Sequence, residues 1–134
     1  MSRYVTDTHA LYWHIMGDTK LSIKAQIIFQ GADEGNHQIL IPGIILVEMV
    51  YLVEKARINS TTLKRVIDLL NDSNGSYCVA LLNLETINSL QLIPREEIPD
   101  MPDRIIAATA HQLGIPLISR DGKIQKSKTV QVIW

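Results

Sequence analysis

The chain has 134 residues, 46% hydrophobic and 20% charged, and its 13 basic and 14 acidic residues give a net charge of −1. This length predicts a single domain over residues 1–134, able to bury roughly two thirds of its unfolded surface and to fold without a disulfide or structural metal. The small net charge neither favours nor excludes a nucleic-acid partner. No stretch reaches the ~18 apolar residues of a membrane-spanning helix, so we expect no membrane association.

Two features of the sequence indicate the compartment. The single cysteine, Cys78, lies in an apolar run, and a lone buried and inert thiol is typical of a reducing cytosol. The N-terminal segment contains Asp7, His9, His14 and Asp18 where a secretory signal has an unbroken apolar core. We therefore expect a cytoplasmic protein.

The chain opens with a predicted strand that ends on an acid. A short β-type run covers residues 4–6, Asp7 follows it, and the segment ALYWHI then predicts a helix. Asp7 is therefore either a helix N-cap, a role that aspartate often fills, or a functional acid. His9 and His14 are expected to be a surface residue and a packing residue.

The next segment predicts an amphipathic helix and a second strand. The helix lies within residues 21–35, with Ser22 at the cap position and Ile23, Ile27 and Ile28 on one face. The apolar run at residues 38–42 then predicts a buried strand that ends before Pro42-Gly43.

Glu48 is the least expected residue of the following helix, which we predict over residues 44–57. From Ile44 to Val53 every other side chain is apolar or Tyr51, so Glu48 has apolar neighbours on all sides. A buried carboxylate must be neutralised, paired or bound to a metal, because stripping it of water unpaired costs several kcal/mol. The alternative is a salt bridge to a distant lysine or arginine.

The middle of the chain contains no candidate catalytic or metal-binding residue. Residues 60–74 predict a capped amphipathic helix closed by Asn74-Gly75, the run YCVALL predicts a third strand, and residues 84–93 predict a short helix before the break at Pro94.

The segment from Asp100 to Asp121 predicts a helix that leads into a buried strand. Pro102 suits a first helical turn, Gly114 stops the helix, and the apolar run IPLIS is typical of a strand buried on both faces. Asp103 then lies at a helix N-terminus and Asp121 just past a strand. Asp103 could simply form a capping-box-like start with Asp100, and Asp121-Gly122 could be only a turn.

Helices and short apolar strands thus alternate through the chain to a final edge strand over residues 129–134. This pattern is typical of an α/β fold in which helices cover both faces of a mainly parallel sheet. In such a sheet the ends of successive strands lie on one edge, so Asp7, Glu48, Asp103 and Asp121 can converge there.

Four converging carboxylates repel one another unless a cation lies among them. Oxygen ligands without a cysteine or a histidine pair favour Mg²⁺ or Mn²⁺ over zinc. Such ions can activate a water and stabilise the charge that develops on a phosphodiester. Thr8 and Ser119, each close to one of these acids in sequence, could hold that water or orient a ligand, although ordinary turn hydroxyls are an alternative.

The distribution of charge agrees with an anionic substrate. Neutralising the four acids would change the net charge from −1 to +3. Basic residues lie next to two of the acids and suit a phosphate backbone, with a solvated surface as the alternative. These candidate RNA-binding residues are Arg104, Arg120, Lys123, Lys126 and Lys128.

With these residues in place, the chain resembles the PIN-domain family, and within it the VapC-type toxins of bacterial toxin-antitoxin pairs. The resemblance runs nearly end to end and lies in DTHALYW at 7–13, DMPDRIIAATA at 100–110, PLISRD at 116–121 and the final VIW. DMPD departs from the more usual DPFD, which keeps the acid spacing and alters only the loop.

This resemblance implies a three-layer, Rossmann-like sandwich and an acidic quartet of Asp7, Glu48, Asp103 and Asp121. It further implies a Mg²⁺-dependent endoribonuclease that is restrained by a small antitoxin and forms a homodimer. Apolar residues in 25–29 and 44–53 exceed what a small monomer can bury, which also predicts a dimer and an antitoxin groove.

Two other functions remain as alternatives. A non-catalytic module that binds RNA or an antitoxin would keep the same fold and basic residues. A phosphotransfer enzyme of the haloacid-dehalogenase type needs a second aspartate two residues after the first, and His9 occupies that position.

Overall fold

The computed structural model describes residues 2–134. Across them, short strands alternate with helices in the order β1 (Ser2–Thr6), α1 (Thr8–Met16), α2 (Ile23–Asp33), β2 (His37–Pro42), α3 (Gly43–Glu54), α4 (Ser60–Asn71), β3 (Tyr77–Ala80), α5 (Leu84–Leu92), α6 (Met101–Leu113), β4 (Leu117–Ile118), α7 (Gly122–Gln125) and β5 (Val132–Ile133). Within the same residues no helix is both long and apolar enough to cross a bilayer.

The five strands form one parallel sheet in the order β3-β2-β1-β4-β5, which confirms the predicted α/β fold. The chain first builds outward from β1 to β2 and β3, then crosses back to β4 and β5 on the other side of β1. The order therefore reverses between β1 and β4. In open α/β sheets, ligands bind in the crevice at the carboxyl ends of the strands at such a point.

Local signals in the sequence set the ends of the helices around this point. Asp7, Ser22 and Asp100 cap α1, α2 and α6 with their side chains. Gly114 ends α6 in the left-handed conformation (φ +67°), which lets the chain turn directly into β4. The expected edge strand over residues 129–134 is present as the shorter β5.

The predicted apolar face of α2 is wrong in part. Ile28 is buried as expected, but Ile23 and Ile27 are 77% and 62% exposed, and Ala25 and Phe29 are buried instead. The buried side chains at 25, 28, 29 and 32 form an alternative helical stripe of the same period.

Three smaller expectations also change. α4 ends at Asn71, earlier than the predicted Asn74-Gly75, because Asp72 already leaves the helical conformation. Cys78 is half-buried instead of buried, because β3 is an edge strand, and its Sγ lies 3.2 Å from Gln38 Nε2. Glu48 is half-buried as well, since Val47 and Val50 beside it are largely exposed to solvent.

Candidate active site

Asp7 lies directly at the end of β1 and is buried. Its backbone N–H donates to the Ile118 carbonyl (3.1 Å), which ties it to the end of β4, and its Oδ1 accepts the Ala10 N–H (2.9 Å). Burial raises the pKa of Asp7, and hydrogen bonds from Ser119 and Ala10 partly oppose that rise. Asp7 is thus both the N-cap of α1 and an acid at the strand-order reversal.

Asp121 follows the end of β4 by three residues and caps α7. Its Oδ1 accepts the N–H groups of Lys123 (2.9 Å) and Ile124 (3.0 Å), while its own N–H donates to Ser119 Oγ (3.1 Å). Ser119 is completely buried between this turn and Asp7. The Ser119 hydroxyl therefore contacts both acidic positions, and its supporting role stays a prediction.

Asp103 lies in the first turn of α6, and its N–H donates to Asp100 Oδ2 (3.2 Å). Its pKa is raised to about 7, first by burial and then by Asp100, Asp121, Asp7 and Glu48. Asp100 therefore fills the predicted capping role and adds a carboxylate to the site.

Glu48 joins the site through Thr8. The Thr8 hydroxyl donates to Glu48 Oε1 (2.7 Å), and Thr8 directly follows Asp7 in the chain. Burial raises the pKa of Glu48, and this hydrogen bond partly offsets the rise. Among residues 2–134 no lysine or arginine forms an ion pair with Glu48, so the structural salt bridge considered from the sequence is absent.

Two clefts open onto these acids and share Asp121. The first, here called the acidic cleft, has a volume of about 450 Å³ and is lined by Ile98, Pro99, Asp100, Asp103, Asp121, Gly122, Lys123 and Lys126. The second, here called the aromatic cleft, has a volume of about 300 Å³ and is lined by Asp7, His9, Trp13, Arg120 and Asp121. The structure thus brings together the acids from three separate parts of the sequence.

A sequence model of the PIN domain family matches residues 4–128. The chain belongs to the PIN domain family. A comparison with curated protein sequences finds no match.

Solved structures share the fold of this PIN domain. One is a chain of VapBC2 from Rickettsia felis, bound to a DNA fragment from their promoter. The alignment covers 98% of the present chain and 97% of that chain, with a TM-score of 0.72 and 17% identity. DNA-bound VapBC from Salmonella typhimurium gives 99% and 98% coverage (TM-score 0.72, 18% identity). For FitAcB from Neisseria gonorrhoeae, the alignment covers 98% of the present chain and 96% of that chain (TM-score 0.65, 15% identity).

The donor set of this PIN domain fits a hard divalent cation. Its ligating atoms would all be carboxylate oxygens, and no cation of the described chain neutralises them by an ion pair. Among residues 2–134, however, no three His, Cys, Asp or Glu side chains are arranged so as to hold one ion together. Mg²⁺ usually keeps several waters and takes only one or two carboxylates directly, so such a trio is not required.

The basic residues expected to bind RNA separate into two groups. Lys123 and Lys126 line the acidic cleft and Arg120 the aromatic cleft, and all three are exposed. Arg104 is different, because its guanidinium donates to the carbonyls of Leu90 (3.1 Å) and Ile93 (2.9 Å) at the end of α5. These hydrogen bonds give Arg104 a structural role, and its binding of RNA stays a prediction.

His9 and Trp13 line the site although the sequence gave them no functional role. The signal that could have found them is their spacing of four residues on α1, immediately after Asp7, which places both on one helix face. Lys128 is exposed, and its N–H donates to Glu97 Oε1 (2.9 Å), which fixes the loop after α7.

Proposed function

We propose that this PIN domain is a metal-dependent endoribonuclease, and that it is the toxin of a VapC-type toxin-antitoxin pair. The observation that carries the proposal is the convergence of Asp7, Asp103 and Asp121 on two adjoining clefts at the strand-order reversal. Glu48 is linked to them through Thr8. Membership of the PIN domain family supports a nuclease.

In this proposal Asp7, Glu48, Asp103 and Asp121 hold Mg²⁺, with Mn²⁺ as the alternative ion. When bound, such an ion activates water and stabilises the charge on the phosphodiester. Thr8 keeps the Glu48 carboxylate in place by its hydrogen bond, and Ser119 does the same for the turn that carries Asp121. Both hydroxyls act by orienting acids.

The RNA strand is proposed to enter along the exposed cations. Lys123 and Lys126 line the acidic cleft together with Asp100 and Asp103. Contacts with phosphate supply most of the sequence-independent affinity for nucleic acid, and they weaken with salt. Binding through these lysines should therefore fall as the salt concentration rises.

Cleavage of single-stranded RNA with Mg²⁺, with Mn²⁺ and with excess EDTA tests the proposal. Asp7→Asn and Asp121→Asn should each lower the rate by about 100-fold or more, because each removes a ligand charge. Both variants should still fold, since asparagine is as good an N-cap as aspartate and keeps the oxygen that accepts the helix N–H groups. Asp68→Asn, an exposed change on α4, is the matched control.

Undiminished cleavage in EDTA would overturn the metal dependence. Cleavage at the wild-type rate by either Asn variant would remove that acid from the site.

A small antitoxin is the proposed partner, because the exposed apolar side chains of Ile23 and Ile27 on α2 have no partner within the described chain. The solved chains of similar fold belong to structures that are described as VapBC2, VapBC and FitAcB. Co-purification with the product of a neighbouring short reading frame, and loss of RNA cleavage in the complex, are the expected results.

A non-catalytic RNA- or antitoxin-binding module is the second candidate. It is favoured by one observation, that no trio of ligating side chains in residues 2–134 is placed to hold an ion as it stands. RNA binding without cleavage under every metal condition would establish this candidate.

A further inference from the structure

The aromatic cleft contains three side chains that metal-dependent hydrolysis does not require. His9 and Trp13 lie one turn apart on α1, with ring centroids 5.6 Å apart and planes inclined by 39°. The ring centroids of Trp13 and Trp134 are 5.9 Å apart, so the Trp13 indole also packs against Trp134. His9 is exposed and Trp13 is half-buried, and both rings line the cleft, with Lys20 Nζ 6.0 Å from the centroid of the Trp13 ring.

Arg120 completes this surface in an unexpected position. It precedes Asp121 and shares the cleft with Asp7, yet its guanidinium lies over the Trp13 ring, 5.5 Å from the centroid. Among residues 2–134 no carboxylate forms an ion pair with it. An arginine presents five N–H donors in a planar fork, so Trp13 holds an exposed phosphate-binding group next to the acids.

We propose that His9, Trp13 and Arg120 form a subsite for one nucleotide of the RNA, with its base against the aromatic rings and its phosphate on Arg120. The subsite rests on the proposed ribonuclease function, since it lies beside the proposed cleavage site. A volume of about 300 Å³ is at the lower end of the range for small-molecule sites. Stacking on aromatic rings and arginine planes is the usual means of binding unpaired RNA bases.

The charges and spacing in the cleft favour a nucleotide over a bare phosphate. Asp7 and Asp121 line the cleft and repel an anion, whereas the rings of His9 and Trp13 offer planar aromatic surfaces to a base. Because a helix rises 1.5 Å per residue, Trp13 lies about 9 Å along α1 from Asp7. A base on Trp13 therefore belongs to a nucleotide near the phosphodiester at the acids.

A purely structural role for the same cluster makes a different prediction. If Trp13 only packed against Trp134, its loss would reduce stability without changing any preference for a base. Exposed His9 and Arg120 contribute little to such packing, so binding measurements separate the two roles.

The test compares adenosine 5′-monophosphate with ribose 5-phosphate, in the presence of Mg²⁺, by titration followed in tryptophan fluorescence and NMR. Wild type should bind the nucleotide about tenfold more tightly, which is typical of one stacked base. Only the nucleotide should shift the His9 ring and Trp13 indole resonances. Equal affinities, or shifts confined to other residues, would overturn the subsite.

Variants test whether Trp13 binds the base and Arg120 binds the phosphate. Trp13→Leu should abolish the preference for the base, and Trp13→Phe should retain most of it. Arg120→Gln should weaken both ligands by a similar factor and leave their ratio unchanged. Arg57→Gln, which removes an exposed charge elsewhere, is the control.

The outcomes separate this subsite from the nuclease itself. RNA cleavage by a wild type that shows no base preference would overturn the subsite alone. A base preference lost in Trp13→Leu, in a protein that never cleaves RNA, would support the subsite and overturn the nuclease. If Trp13→Leu fails to fold, the wild-type shifts and the Arg120→Gln ratio decide.

Discussion

Glu48 carries an unusual charge for its surroundings. It is half-buried on α3, its only hydrogen bond from a side chain within the described residues comes from Thr8, and none of their lysines or arginines pairs with it. Burial raises its pKa, so the ionised carboxylate destabilises the metal-free fold. A bound cation would remove that penalty.

We predict that Glu48→Gln raises the melting temperature of the metal-free protein. The amide keeps the shape and can still accept the Thr8 hydrogen bond, so only the charge is lost. Because Glu48 is half exposed, solvent screening limits the gain to about 1 kcal/mol, or a few degrees. Stabilisation by Mg²⁺ and RNA cleavage should both disappear. Glu54→Gln, an exposed change on the same helix, is the control.

Thermal melting of both variants in EDTA and in Mg²⁺ checks this prediction. A metal-free loss of about 3 to 5 kcal/mol, the usual result of breaking a buried ion pair, would contradict it. Retained stabilisation by Mg²⁺ would also take Glu48 out of the metal site.

Asp103 predicts a pH dependence of stability in the absence of metal. Its pKa is about 7 in the folded chain, mainly through burial, and 3.8 is its ordinary value. A carboxyl whose pKa is raised on folding adds stability that is complete below about pH 4 and is lost as the pH rises through 7. The fold should therefore be less stable at pH 8 than at pH 5 as far as this group is concerned.

Comparison with Asp103→Asn isolates this term. The variant should exceed wild type in stability at pH 8 by roughly 1 kcal/mol, after allowance for solvent screening of a half-exposed group, and match it near pH 4. His14, whose pKa burial lowers, contributes with the opposite sign but cancels in the difference. A wild-type and variant difference that does not change with pH would contradict the prediction.

At the scale of helices and strands, the sequence predicts what is encoded locally. Asp7, Ser22 and Asp100 are caps that each accept the N–H three residues further along, and Gly114 ends α6 by its own conformation. Local sequence does not determine which face of α2 is buried, because the helix has two apolar stripes of the same period. Packing against the rest of the fold selects one of them. The structural role of Arg104 is hidden for the same reason, since its carbonyl partners lie at the end of another helix.

Glu97 is a second long-range contact that the sequence does not reveal. Its Oε1 accepts hydrogen bonds from the Ser127 hydroxyl, the Lys128 N–H (2.9 Å) and the Thr129 hydroxyl (3.3 Å). The bonds join the loop before α6 to the loop after α7, so they connect the segments that carry Asp100 and Lys126. The walls of the acidic cleft are thereby held together.

We predict that Glu97→Ala loosens the lysine wall of the acidic cleft. Loss of the acceptor should speed amide exchange at Lys128 by about tenfold or more, since hydrogen bonds to charged groups are the stronger ones. The KM for RNA should rise more than kcat falls, because the acids remain in place. Glu96→Ala, an exposed neighbouring change, should do neither. Unchanged exchange at Lys128 would contradict the prediction.

For the whole molecule, the position of the acidic cluster follows from topology more than from any single motif. Right-handed parallel connections bring strand ends to one edge, so Asp7 and the acids near β4 meet even though more than ninety residues separate them in sequence. The sequence could predict that edge. It could not predict that Asp121 belongs to two clefts, because that depends on how α7 and Trp13 pack around it.

The apolar surface changes the predicted dimer in one respect. Ala25 and Phe29, expected to be exposed, are buried in the core, so they cannot form an interface. Val47, Val50 and Tyr51 on α3 remain 49%, 42% and 58% exposed and follow one another at helical spacing. Such a stripe is suited to packing against its own copy across a two-fold axis.

We predict a homodimer in which α3 packs against α3. Light scattering at tens of micromolar should give twice the mass of the 15.1 kDa chain, and Val50→Lys should give the monomer without loss of fold. Ile27→Lys, an equally exposed apolar position on α2, should leave the dimer intact and instead weaken binding of an antitoxin. A monomeric wild type would contradict the dimer, and dissociation by Ile27→Lys alone would move the interface from α3 to α2.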